Sequence, residues 1–322
     1  MSNKNKEYYI ELANHFGLCK TDLIYPIFIT ESNQHKNFES MPGVMKIPYN
    51  KIIDFVDQIV TKDLRSIILF GNPKKRDNHG SMAFSHNGIV QKTLRLLKST
   101  FGSRLCLISD VCLCQYNKSG HCGILDNKNN LIKNDKTIEY LSKIAVSHSE
   151  AGADIVAPSS MMDGQVKFIR ERLNREGYRK IKILSFSAKL SSSLYNPFRM
   201  ELFLKKNFRG LNKSSYQVSY SNTNEIMREI DLDMKEGADM VMIKPSISSL
   251  DLIYRVSKIS KLPIVVQIVS GEYSMVKAAS NVGAIDEIYY LLNLLGAIKR
   301  SGGNKIISYS SLQLSEFMVG KY

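Results

Sequence analysis

Short runs of β-branched and apolar residues recur along the chain at Leu23–Thr30, Ser66–Phe70, Leu105–Ser109, Asp154–Ala157, Ile181–Phe186, Met240–Lys244, Ile264–Val269 and Ile306–Tyr309. Each has strand length, and each is unbroken enough to be buried on both faces. Between them the apolar positions take a helical period, over Lys136–Glu150, Val166–Glu176, Asn222–Lys235, Ser249–Ile259 and Asp286–Lys299. Two helix-to-strand junctions nearly repeat, Glu150-Ala-Gly-Ala-Asp-Ile-Val156 and Glu236-Gly-Ala-Asp-Met-Val241. In each, Gly can end the helix just before the apolar strand begins. Strands alternating with helices in this way predict a (β/α)₈ barrel, an α/β fold. A doubly wound open sheet is the competing arrangement, but no Gly-rich dinucleotide loop follows the first strand. Residues 1–21 precede that strand and are expected as a short N-terminal arm, with 22–322 forming the barrel.

Composition fits one large globular domain: 322 residues, 43% hydrophobic and 23% charged. No window approaches the roughly 18 apolar residues of a membrane span. The start, Met-Ser-Asn-Lys-Asn-Lys-Glu-Tyr-Tyr, lacks the apolar stretch of a secretory signal, so the cytoplasm is the expected location. A formal net charge of +14 raises the question of a nucleic-acid partner. However, Lys and Arg are scattered among acids, and the longest basic run is Lys74-Lys75-Arg76. A solvated basic surface that modestly favours small anionic substrates is the better reading, with no nucleic-acid or membrane partner.

Chemistry concentrates in residues 110–123, where Cys112, Cys114 and Cys122 stand with Asp110 before them and His121 beside the last. The stretch after Cys114 can fold back to bring Cys122 close. Three thiolates suit Zn²⁺ and leave a position open, as catalytic zinc requires. The competing reading is buried or disulfide-bonded cysteines, but five cysteines in such a chain make no disulfide framework. Cys19 and Cys106 lack the cluster's spacing. His121 suits a supporting role better than direct ligation. His15, His35, His79, His86 and His148 are dispersed and mark no site.

A barrel builds its site at the C-terminal ends of its strands. Those ends carry Asp110 and the cysteines, then Ser159 and Ser160, Lys189, Lys244, Ser270 and Tyr309. Two lysines on adjacent strand ends are informative, because burial and a neighbouring cation both lower a lysine's pKa. A neutral amine attacks ketones to give a Schiff base. The alternative is a pair of cations that bind an anion as point charges.

At these residues the chain resembles the porphobilinogen synthase (5-aminolevulinate dehydratase) family. The match runs through Asp22-Leu-Ile-Tyr-Pro26, Ser40-Met-Pro-Gly-Val44, Asp110-Val-Cys-Leu-Cys114, Gly120-His-Cys-Gly-Ile124 and Gly152-Ala-Asp-Ile-Val-Ala-Pro-Ser159. It continues through Met161-Met-Asp-Gly164, Phe186-Ser-Ala-Lys189, Tyr195-Asn-Pro-Phe-Arg199, Ser215-Tyr-Gln217, Gly237-Ala-Asp-Met-Val-Met-Ile-Lys-Pro245 and Val269-Ser-Gly-Glu-Tyr273. The resemblance implies a barrel enzyme that condenses two 5-aminolevulinate molecules into porphobilinogen with loss of two waters, for tetrapyrrole synthesis. It implies that Lys244 forms the Schiff base with the first substrate and Lys189 with the second. By the same resemblance Ser270 and Tyr309 bind the first substrate's carboxylate, and Arg199 and Gln217 the second's. Asp110 and Ser159 complete the polar wall, and the three cysteines place the chain in the zinc-dependent branch. Glu236 matches a position associated with an allosteric Mg²⁺ in some members, and homo-oligomers up to an octamer are implied.

The chain also departs from the family pattern. Gln165 stands where Arg is usual, and Ser160 where Asp is usual. Gly210-Leu-Asn-Lys-Ser214 replaces Gly-Asp-Arg-Lys, so the second carboxylate-binding Arg is missing and Lys213 is its candidate substitute. The family's Arg-rich arm is shortened here and carries no Arg. The loops at Asn78–Ala83 and Tyr195–Asn207 are each candidate lids. Two alternatives stay open: a different Schiff-base lyase or aldolase on the same barrel, and a non-catalytic descendant.

Overall fold

The computed structural model describes residues 3–126, 131–202 and 213–320. Its strands are β1 (Leu23–Thr30), β2 (Lys36–Asn37), β3 (Met45–Pro48), β4 (Ser66–Asn72), β5 (Cys106–Val111), β6 (Ile155–Pro158), β7 (Lys182–Lys189), β8 (Met240–Lys244), β9 (Ile264–Gln267) and β10 (Lys305–Ile307). Apart from β2 and β3, they pair in parallel in chain order, and β10 returns to β1 through Leu23↔Ile306 and Ile24↔Ile307. That pairing closes the barrel, as the alternating pattern predicts, and excludes the open sheet. β3 takes over the upper edge of β1, opposite Phe28, Ile29 and Thr30, where the short β10 no longer reaches.

The helices are α1 (Asn3–His15), α2 (Ile52–Thr61), α3 (Ile89–Phe101), α4 (Asn134–Glu150), α5 (Gln165–Arg175), α6 (Asn196–Leu202), α7 (Thr223–Lys235), α8 (Leu250–Ile259), α9 (Ser270–Asn281), α10 (Glu287–Arg300) and α11 (Ser311–Leu314). The starts of α7 and α10 follow from capping: Asn222 accepts the Glu225 amide and Asp286 the Tyr289 amide, at 3.0 and 2.8 Å. The apolar run Ile264–Val269 leaves the sheet early, at Gln267. The Glu272 carboxylate accepts the Val269 amide at 2.7 Å and turns the end of that run into the start of α9. No helix among the described residues is long and apolar enough to cross a membrane.

The segment expected as an arm is helical from residue 3 to residue 15 and lies on the barrel's own outer wall. Tyr9 and Ala13 are buried there. The Tyr9 hydroxyl donates to Asp286 at 2.5 Å, and its ring meets Phe317 edge-on.

Strand alternation sorts the apolar residues into two layers. Ile68, Ile108, Ile155, Leu184, Met242 and Val265 fill the barrel interior. Their neighbours Ile67, Leu107, Val156, Ile183, Val241 and Val266 pack outward under the helices. This parity decides which residues at the strand tops face the mouth.

One buried group in the outer layer makes stability depend on pH. His148 on α4 is fully buried, with Nδ1 at 3.0 Å from the Ser109 hydroxyl on the back of β5. Burial pulls its pKa down to about 3. An unfolded His takes a proton near pH 6.5, which the folded chain refuses, so stability present above that pH is lost on acidification toward pH 3. Between pH 6.5 and 5 the loss is expected to be about 2 kcal/mol. Urea unfolding at the two pH values measures it, and His148→Leu should remove that part of the slope.

Candidate active site

Parity delivers the polar side chains to one mouth. On β8, Met242 faces in and Val241 and Ile243 face out, so Lys244 faces in. The same alternation on β5 turns Asp110 inward after Ile108, and on β6 it carries Ser159 inward after Ile155 and Ala157. Lys189 ends β7 directly opposite Lys244. These residues share a cavity with Cys114, Cys122, Arg199, Lys213 and Gln217.

Lys244 is buried, and its ammonium nitrogen donates to the Gln267 side-chain oxygen at 2.9 Å. It sits over the Phe186 ring at 4.4 Å and over the Tyr195 ring at 5.5 Å. Burial first, and the Lys189 charge second, hold its pKa well below the ordinary range. That shift favours the neutral amine, the form that attacks a carbonyl. Lys189 is less enclosed and donates to the Ser159 carbonyl at 2.5 Å. Burial pushes Asp110 up to about 6, against the Ser159 hydroxyl, which donates to it at 2.6 Å, and the two lysines. Gln115 adds a longer contact to the same carboxylate, at 3.4 Å.

The cysteines form a compact, buried group. The ligand atoms of Cys112, Cys114 and Cys122 all lie within 4.8 Å of one another, and the first two sulfurs are 3.3 Å apart. A tetrahedral zinc with Zn–S bonds of about 2.3 Å needs sulfurs roughly 3.8 Å apart, so the group fits with small adjustments. Hydrogen bonds from Cys112 and Cys114 draw the Cys122 pKa well below the ordinary range, and the Lys213 ammonium, 3.4 Å from its sulfur, adds to this. One thiolate is thus already favoured. His121 turns aside from the cluster: its Nδ1 lies 3.1 Å from the Tyr216 hydroxyl, which also accepts the Cys122 amide at 3.3 Å.

The other expected site residues are placed differently. An Arg199 guanidinium nitrogen reaches the Gln217 side-chain oxygen at 3.4 Å, and both residues line the cavity. Ser270 and Tyr309 do not line this cavity. Ser270 donates to the Leu194 carbonyl at 3.0 Å, and the Tyr309 ring packs against Phe28 and Tyr273. Gly271 allows that seat, since a Cβ there would stand 2.6 Å from the Leu194 Cα. Glu236 lies outside the barrel, accepting the Lys167 amide at 3.1 Å. Among the described residues it belongs to no group of three metal-binding side chains; the cysteines form such a group. The Ser160 hydroxyl is buried without a partner among the described residues, and Gln165 accepts only a long contact from the Met162 amide, at 3.4 Å. Cys19 and Cys106 lie away from the cluster.

Of the two candidate lids, the first is a tight turn whose Asp77 amide donates to the Tyr116 carbonyl at 3.3 Å, beside the cysteine loop. The second begins as α6, with Phe198 packed on Phe28 and Phe70, and its residues 203–207 lie outside the described residues. Sequence reasoning missed Gln267, Phe186 and Tyr195 as the surroundings of Lys244. The signal for Gln267 was a polar residue at an inward position of β9, two after Val265.

An apolar barrel that holds two facing lysines and three clustered thiols at its mouth defines a lyase of carbonyl compounds. Residues 2–317 match the family model described as Delta-aminolevulinic acid dehydratase. The chain is 45% identical to the delta-aminolevulinic acid dehydratase of Methanothermus sociabilis, over 95% of this chain and 93% of that one. It is 44% identical to that of Archaeoglobus fulgidus, over 93% and 91%. A crystal structure of the Toxoplasma gondii ME49 enzyme in complex with the reaction product porphobilinogen superposes with a TM-score of 0.90 at 34% identity, over 94% of this chain and 86% of that one. The chain belongs to the delta-aminolevulinic acid dehydratase family, whose members are lyases of porphyrin biosynthesis.

Proposed function

We propose that the chain condenses two 5-aminolevulinate molecules into porphobilinogen, losing two waters, through imines on Lys244 and Lys189. The observation that carries this reading is the facing pair of lysines, with the Lys244 pKa drawn well down by burial. Its free amine adds to the ketone of the first substrate, the carbonyl oxygen leaves as water, and a carbon–nitrogen double bond remains. The Gln267 oxygen aims that nitrogen through its 2.9 Å contact. Once the nitrogen becomes a cationic iminium, the Phe186 and Tyr195 faces and the Asp110 carboxylate stabilise it. Asp110, titrating near 6, can hold or release a proton close to neutrality. Lys189 holds the second substrate in the same way, and Arg199, Gln217 and Lys213 receive its carboxylate. Ser270, Tyr309 and Ser159 complete the anchoring of the first.

Cys112, Cys114 and Cys122 would hold a zinc ion, which when bound supplies a Lewis acid with an open position beside the cavity. Glu236 remains a candidate ligand for a regulatory Mg²⁺. The barrel of residues 22–322 carries the whole site. The chain works as a homo-oligomer in the cytoplasm, with assemblies below the octamer favoured because its first helix lies on its own barrel.

The direct test supplies 5-aminolevulinate to reduced, chelator-treated protein with and without added Zn²⁺. Porphobilinogen formed only with zinc is the expected result. The substrate requirement should be raised by roughly one to two decades relative to family members that keep the second carboxylate-binding Arg, because one charged hydrogen bond is worth about 1.5–3 kcal/mol. No product in the presence of bound zinc would defeat the assignment.

A further inference from the structure

β7 breaks its pairing with β8 just before Lys189. Ser185 stands opposite Val241 and Ala188 opposite Ile243, so Phe186 and Ser187 together face Met242. One extra residue on one strand is a β-bulge. Its consequence is a change of face. Leu184 and Phe186 point into the barrel, and unbroken alternation would send Ala188 in and Lys189 out to the helices. Instead Ala188 packs in the outer layer, and Lys189 enters the cavity opposite Lys244.

The bulge is tied down from outside. Ser185 and Ser187 are both buried on the outward face of β7. The Ser185 hydroxyl donates to the Asp233 carboxylate on α7 at 2.7 Å, and the Ser187 hydroxyl makes a longer contact back to the Ser185 carbonyl, at 3.4 Å. One side chain of the neighbouring helix thus holds the residue just before the bulge, and Ser187 ties the bulge back to that residue. A bulge has no ladder bond of its own at the extra residue, so such a grip fixes a backbone that regular pairing would otherwise compete for.

We propose that Asp233 is a positioning residue, whose carboxylate clamps the β7 bulge and so sets the face on which Lys189 emerges beside Lys244. The inference rests on the reading of Lys189 as an imine-forming residue. The test is borohydride trapping of 5-aminolevulinate on the intact, metal-loaded chain, with each lysine located by peptide mapping and folding checked by thermal melting. Asp233→Leu and the paired Ser185→Ala, Ser187→Ala variant should trap the substrate on Lys189 about a hundredfold more slowly, the penalty of a misplacement near 1 Å. Trapping on Lys244 should keep its wild-type rate. Asp233→Asn retains an acceptor oxygen and should fall between. If Asp233→Leu fails to fold, the serine pair and Asp233→Asn carry the test. Folded variants that trap both lysines at wild-type rates, or lose both equally, would overturn the clamp. Wild-type protein with no imine on Lys189 would overturn the underlying reading, and the clamp with it.

Discussion

Replacing Lys244 with Met is expected to lower turnover by roughly 10⁴-fold or more, with the barrel still folded. Methionine nearly matches the volume and removes a buried amine whose charged form is already disfavoured. What remains is an unpaired Gln267 oxygen, a cost of about 1–3 kcal/mol that a domain of this size can absorb. Chemistry has no such reserve, because a methionine offers no amine to form the imine. Lys244→Arg should fail as completely, since a guanidinium stays protonated. The measurement is porphobilinogen formation alongside borohydride trapping. Turnover within tenfold of wild type in a folded Lys244→Met protein would end the Schiff-base account of this residue.

Cys122→Ser is the second large effect. Removing the sulfur that carries the thiolate should weaken metal binding by about 100-fold or more, since even supporting residues around a metal cost 10–100-fold when changed. The change should also remove the sulfur that now lies 3.4 Å from the Lys213 ammonium. Metal content after dialysis, and the charge-transfer absorption of the cobalt-substituted protein, read the cluster independently of activity. Wild-type metal retention in Cys122→Ser would remove this cysteine from the ligand set. Cys106→Ser, a change outside the cluster, should retain wild-type metal content.

Much of the architecture was legible from local pattern. The eight buried runs became the barrel strands because unbroken apolar stretches suit a sheet covered on both faces. The helices after Asn222 and Asp286 began where a capping side chain could meet the first free amides. The cysteine spacing and both lysines were visible as residue types at strand ends, which the closed barrel then gathered at one mouth. The segment before the first strand read as an arm because it precedes the barrel and matches the position of the family's arm. Its Tyr9 and Ala13 face find a partner only once α10 is folded beside it.

The sequence by itself determined which strands exist, that they alternate with helices, and which side chains could carry amine, thiol and carboxylate chemistry, because periodicity and residue type are local properties. Tertiary structure alone decided the rest. Ser270 and Tyr309, assigned to the site by resemblance, take their partners from other elements: the serine's hydroxyl donates to the Leu194 carbonyl, and the tyrosine's ring stacks on Phe28, whose neighbours Phe70 and Phe198 line the cavity. Lys189 reaches the cavity only through a bulge held by Asp233, 44 positions further along the chain by residue number. Strict alternation along β7 would have turned that lysine outward. Strand register, the depression of the Lys244 pKa and the closeness of three thiols are all set by what lies across space, which no local pattern encodes.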